Sequence, residues 1–156
     1  MIWQSTEVTE ILQMIEEEHL DIRTVTMGVS LRGVRGDSIK TFSQNVYDHI
    51  HSCAERLVPT IEKLQDDLGV PITNKRLSVT PVALVAERTG ADSYTDVAQA
   101  MDQVAADVGV DYIGGFSALV EKGATTGDEV LMRSIPEALS TTARVCSSIN
   151  VATTRA

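Results

Sequence analysis

Four short stretches of this 156-residue chain carry residue types that bind anions. In "RGVRGD" (32–37), Gly33 and Gly36 let backbone amides approach a ligand while Arg32 and Arg35 supply charge, so an anion fits ahead of the following helix. The same residues also make an ordinary tight turn, with Asp37 as the helix N-cap that a phosphate would need. In "GGFSALVEKG" (114–123), Gly114 and Gly115 stand with Ser117 and Lys122 in a glycine-rich loop that either cradles a carboxylate or phosphate or is a flexible connection. It lacks the Gly-Lys-Ser/Thr spacing of a Walker loop. Thr80 opens "TPVAL", and "SSINVATTR" ends an otherwise apolar strand with Ser148, Asn150, Thr153, Thr154 and Arg155, which suits either a ligand or hydrogen bonding to further chain.

Other chemistries are weaker. His49 and Cys53 stand i, i+4 on one helix face, but two ligands without a third make no metal site, and Cys53 and Cys146 lie far apart with no CxxC. No metal is expected, and no cofactor is specified. Cys146 either points inward from its strand or is a small core residue, since free cysteine packs as a hydrophobe. No serine has a G-x-S-x-G setting, so no reaction is written in these residues.

The elements that must position these groups follow from periodicity. Val8, Ile11, Leu12 and Ile15 repeat at helical spacing after Ser5, a suitable N-cap, and run into Glu16, Glu17 and Glu18: a surface helix. Val25, Met27, Val29 and Leu31 share one side of a strand over 20–31. Ile39, Phe42, Val46, Ile50, Cys53, Leu57, Ile61, Leu64 and Leu68 keep one phase through Pro59, which predicts a single helix over 38–68, bent at most at the proline and stopped by Gly69. "NKRLSVT" is a second strand. "TPVALVAERTG" is a short helix capped by Thr80, with Pro81 first and Gly90 beyond its end, or else a prolonged strand. A helix over 95–108 precedes a strand over 110–114. Thr126 with Glu129 and Ser134 with Glu137 have capping-box spacing and predict two short helical turns before a last strand over 143–151. Alternating strands and helices imply right-handed crossovers and a parallel sheet within one α/β unit over 1–156.

A net charge of −9, six aromatic residues and no basic run on a single helix face argue against nucleic acid and against anionic membranes. No apolar stretch approaches the ~20 residues of a membrane span, and two free thiols suit the cytoplasm.

"IRTVTMGVSLRG", "RLSVTPVALVAE", "DYIGGFSALVEKG" and "RSIPEALSTTARVCSSINVATTRA" together resemble an uncharacterised microbial family of unknown function whose fold is grouped with the pyruvate formate-lyase-like, glycyl-radical-enzyme barrels. The resemblance implies that these residues are the N-terminal portion of a larger α/β barrel. It does not imply the radical chemistry, which needs a glycine loop near the C-terminus and a cysteine facing it. The last strand has no helix after it, so its edge is expected to be covered by further chain or by self-association as a homo-oligomer. A small-molecule anion bound at the carboxyl ends of the strands is the expected partner. A non-catalytic regulatory or structural module is the alternative.

Overall fold

The computed structural model describes residues 5–17 and 21–153. Helix α1, Ser5–Leu12, passes into a π-helical turn at Gln13–Glu17; β1 is Ile22–Val29, α2 Ile39–Ala54, α3 Leu57–Leu68 and β2 Ile72–Val79. Then come α4, Val82–Ala86, with a 3₁₀ extension Glu87–Thr89; α5, Thr95–Asp107; β3, Tyr112–Leu119; α6, Thr126–Ser140; and β4, Val145–Asn150. Glu18, Leu20, Thr154 and Arg155, which the sequence assigned to a helix end, a strand start and a polar tail, lie outside the described residues, as does the side chain of Ile15.

The four strands form one parallel sheet in the order β1-β2-β3-β4. Each new strand adds to the same edge, so right-handed crossovers place every intervening helix on one face. Val29, Leu31, Leu77, Val79, Ile113, Phe116, Ala118 and Val145 project there into a single core with Phe42, Val46, Ile50, Val97, Met101, Val104 and Leu131. Strand side chains alternate, so the residues between them project from the opposite face, which no described helix covers.

Several elements depart from the expectation. The predicted helix over 38–68 is two, joined without an extended linker, because Glu55 and Arg56 both stay in the right-handed region. Pro59 has no N–H for the Glu55 carbonyl and its ring crowds that group, so the break falls four residues before the proline, which then sits in the first turn of α3. Phase is lost there: Cys53 and Leu64 are exposed, whereas Ala54 and Ile61 are buried. Thr80 is not a helix cap. Pro81 holds that position, and the Thr80 hydroxyl accepts from Leu31 N at 3.1 Å. Gly69 and Gly90 end their helices in the left-handed conformation, as predicted.

α6 is one helix, not two turns. Its capping box is Thr125 with Asp128, one residue earlier than predicted: Thr125 Oγ1 accepts from Asp128 N at 3.2 Å, and Asp128 Oδ2 accepts from Thr125 N at 2.9 Å. Ser134 lies within the helix, donating to Val130 O at 2.8 Å and accepting from Tyr94 N at 3.0 Å, which ties α6 to the start of α5.

The largest correction concerns β3. The predicted loop Gly114–Leu119 is strand, because Gly115, at φ 115°, forms a β-bulge between Gly114 and Phe116 and lets the ladder with β4 resume. Phe116 and Ala118 are consequently buried. Asp102 Oδ1 accepts from Ala143 N and Arg144 N at 2.9 and 2.6 Å and fixes where β4 begins.

Candidate functional site on the uncovered face of the sheet

The uncovered face is built from cross-strand rows. Thr26 pairs with Arg76 and Arg76 with Tyr112; beyond that row Gly28 pairs with Ser78, Ser78 with Gly114 and Gly114 with Cys146. A Cβ built at Gly28 meets nothing within 4 Å, and one at Gly114 meets only Leu77 O at 4.0 Å. The second row is therefore a smooth floor with Ser78 at its centre and Cys146 at its end. Above these rows lies an open cavity of about 590 Å³ lined by Arg23, Thr26, Asn74, Arg76, Ser78, Tyr112 and Cys146 along with backbone at Leu77 and Gly114.

Arg76 is the most unusual group in it. Its guanidinium carbon stands 5.4 Å from the Tyr112 ring centroid, within cation–π range, and its Nε is buried with no hydrogen-bond partner. Cys146 is exposed on this face and free, so it is not a core residue. His49 Nε2 lies 3.0 Å from Ser30 O and 4.0 Å from Cys53 Sγ.

The residues expected to form a site at the carboxyl ends of the strands are not gathered into one cavity. Gly114 lines the cavity just described, whereas Gly115 is spent on the bulge. Ser117 pairs with Ser148 across the ladder, the first buried and the second exposed. Asn150 ends β4, its carbonyl accepting from Val120 N at 2.9 Å, and Lys122 stands in an exposed turn. Thr80 ties the ends of β1 and β2, donating through its N–H to Val29 O at 3.3 Å.

"RGVRGD" is a turn. Arg32 and Gly33 are exposed; Arg35 Nη1 donates to Arg32 O at 3.0 Å and to Val34 O at 3.4 Å, closing its own loop. Ser38, not Asp37, caps α2, accepting from Thr41 N. A Cβ at Gly36 would collide with the backbone N and Cα of Phe42, so that glycine serves chain packing, while Gly33 has open space around it. Gly36→Ala is accordingly expected to lower stability by about 2 kcal/mol or more, with Gly33→Ala close to neutral. Urea midpoints of the two variants check this, and equal midpoints would contradict it.

A second cavity, about 500 Å³, lies between α2 and α5 and mixes Lys40 with Asp96 among amides. Beside it the Tyr47 hydroxyl donates to Asp107 Oδ2 at 2.7 Å. That bond raises the Tyr47 pKa above the ordinary phenol value and, with Gln103, lowers that of Asp107 below the ordinary carboxylate value. It is an exposed tie between two helices.

Sequence comparison places the chain. A family model described as Uncharacterised ACR (DUF711) matches residues 13–156. The chain belongs to this family. It is 56% identical over 150 residues to a UPF0210 protein of Pelobacter propionicus, covering 96% of this chain and 33% of that protein. A UPF0210 protein of Syntrophotalea carbinolica is 53% identical over 156 residues, 100% of this chain and 34% of that protein, and one of Methanococcoides burtonii is 51% identical over the same length and shares. The chain thus spans about a third of the length of these DUF711 relatives. Among the described residues no helix is long and apolar enough to cross a membrane.

Proposed function

We propose that this segment of the DUF711 protein contributes one wall of a binding site for a small anionic metabolite, over the uncovered sheet face and towards the carboxyl ends of its strands. The observation that carries the proposal is the division of the sheet: one face is closed by helices, and the other presents glycines and polar side chains around an open cavity. The cavity is lined from the starts and middles of the strands, and the same face runs on to their carboxyl ends, where ligands collect because the loops there can be varied without disturbing the core. The rim then consists of Gly33, Thr80, Ser117 and Ser148, with exposed Arg32 and Lys122 as the charges nearest it in sequence. We further propose that the sheet continues into an α/β barrel of the pyruvate formate-lyase-like kind. The sequential strand order and single covered face support this, since a barrel wound in one direction has both properties. The free thiols Cys53 and Cys146 favour a cytoplasmic setting.

A second reading, a structural module that associates through this region, is favoured by exposed Leu119, Ile149 and Val151, the last 70% exposed, at the ends of β3 and β4. Thermal shift of the full-length gene product against a panel of anionic metabolites separates the two. Binding is expected to raise Tm in proportion to the logarithm of ligand concentration. A panel that leaves Tm unmoved while the oligomer dissociates on changing Ile149 to Asp favours the structural module.

A further inference from the structure

The chain has 22 acidic against 13 basic residues, yet most of its described cations make no ion pair, so what distinguishes a site is which groups share the cavity with the cation. Elsewhere cations share their cavities with acids, Lys40 with Asp96 and Arg144 with Asp111. The uncovered-face cavity differs: no Asp or Glu lines it, and the Arg76 guanidinium makes no hydrogen bond or ion pair among the described residues. Arg76 also stands over the Tyr112 ring, with its Nε shielded and without a partner. A sheltered donor with no acceptor costs free energy unless something supplies one. What the cavity lacks is a group that accepts from this guanidinium.

Its class follows from the donors. Phosphate sites use clusters of backbone N–H groups at helix N-termini and glycine loops. On the face of a sheet those N–H groups are committed to the ladder, which leaves only side chains: the Arg76 guanidinium, the Asn74 amide, which also donates to Arg23 O at 3.2 Å, and the Thr26 and Ser78 hydroxyls. A guanidinium edge pairs bidentately with carboxylate or phosphate, and with no free backbone N–H cluster to hold a phosphate's remaining oxygens the planar, two-oxygen carboxylate is the better match. Next to it the Gly28–Ser78–Gly114 floor leaves room for a compact body extending towards Cys146. We propose that Arg76, braced by Tyr112 and assisted by Asn74, is the carboxylate anchor of the site. This rests on the anionic-metabolite reading and deepens it, by placing the charge recognition in the middle of the sheet instead of on the rim.

The test titrates malonate, succinate and inorganic phosphate separately into the full-length gene product and its Arg76→Gln, Arg76→Lys and Ser148→Ala variants, following Tm and calorimetric Kd. One dicarboxylate is expected to raise Tm. Arg76→Gln is expected to weaken its Kd about tenfold or more, the loss typical of a charge-assisted hydrogen bond, and Arg76→Lys to lie between because a point charge cannot bind bidentately. Ser148→Ala is expected to weaken Kd less than Arg76→Gln does, since a neutral rim hydroxyl makes a weaker hydrogen bond to an anion than a guanidinium does. Phosphate binding more tightly than either carboxylate would overturn the class while leaving the anionic reading. Carboxylate binding unchanged in Arg76→Gln but lost in Ser148→Ala would overturn the anchor alone. No response to any of the three, with Arg76→Gln lowering the ligand-free Tm, would mean that an acidic side chain of the protein occupies the guanidinium, and both readings fall.

Discussion

Gly115→Ala is expected to lower the stability of the folded protein by about 3 kcal/mol or more, enough to reduce soluble yield sharply. Two costs combine. The backbone at residue 115 has φ 115°, a region that L side chains rarely adopt. A Cβ there would also stand 2.5 Å from Val79 Cγ2 and 2.6 Å from Val79 O, inside any permitted contact. Truncating Val79 to Ala relieves the first contact but neither the second, which is backbone, nor the torsional cost. The Val79→Ala, Gly115→Ala double variant is therefore expected to regain less than half of the loss. Gly114→Ala is the control: its Cβ meets one atom, at 4.0 Å, and it is expected to be well tolerated. Urea midpoints for the four proteins give the comparison, and a Gly115→Ala midpoint matching that of Gly114→Ala would show that the bulge is not the conformation in solution.

Those two adjacent glycines show where the sequence was legible. Strand and helix identities were readable wherever an apolar period ran unbroken, as in β1, α2 and α5, and so was the parallel sheet, because alternation of strand and helix admits few other solutions. Gly-Gly carries no such period. A glycine pair has the same composition in a flexible loop and in a bulge, and only the Val79 backbone passing beneath Gly115 decides between them. The misplaced caps have a related cause. Thr125 and Thr126 are both followed three positions later by an acid, so spacing alone offers two registers, and the packing of Asp128 into a buried position selects one. Pro59 misled in the opposite direction: the periodicity continues through it in the sequence, while the orphaned Glu55 carbonyl moves the break upstream and turns Cys53 outward.

The candidate site was less legible than the fold, although part of its signal was present. In "TVTMGVS" and "NKRLSVT" polar or glycine residues alternate with larger ones, Thr24, Thr26 and Gly28 in one strand and Asn74, Arg76 and Ser78 in the other. That alternation marks one sheet face as lacking an apolar cover. The glycine-rich connections and strand ends point instead to Arg32, Arg35 and Lys122, of which Arg35 is occupied by its own loop. Register was the missing quantity. Only the pairing of Thr26 with Arg76 and of Arg76 with Tyr112 brings three residues from distant segments into one row.

The same register makes Phe116→Ala a direct choice between the loop and strand readings of "GGFSAL". In an exposed crossover loop, losing the ring would change stability by less than about 0.5 kcal/mol. In the strand, Phe116 is fully buried, follows the bulge that turns it towards the helices, and lies within the core shared by β3, α4, α5 and α6. Removing an aromatic ring from such a site loses its transfer free energy and leaves a void that rigid neighbours fill poorly, about 3–5 kcal/mol together. Phe116→Leu keeps most of the volume and is expected to lose about 1–1.5 kcal/mol. The ordering of the three proteins, wild type above Leu and Leu well above Ala, separates burial from any role of the ring in binding, because the ligand-free midpoint already carries it. Amide exchange adds a second measure: in Phe116→Ala the β3–β4 ladder is expected to lose protection before β1–β2, which pairs without contribution from residue 116. Equal midpoints for all three proteins would return residues 114–119 to a loop and remove the Gly114–Cys146 pairing on which the floor of the candidate site depends.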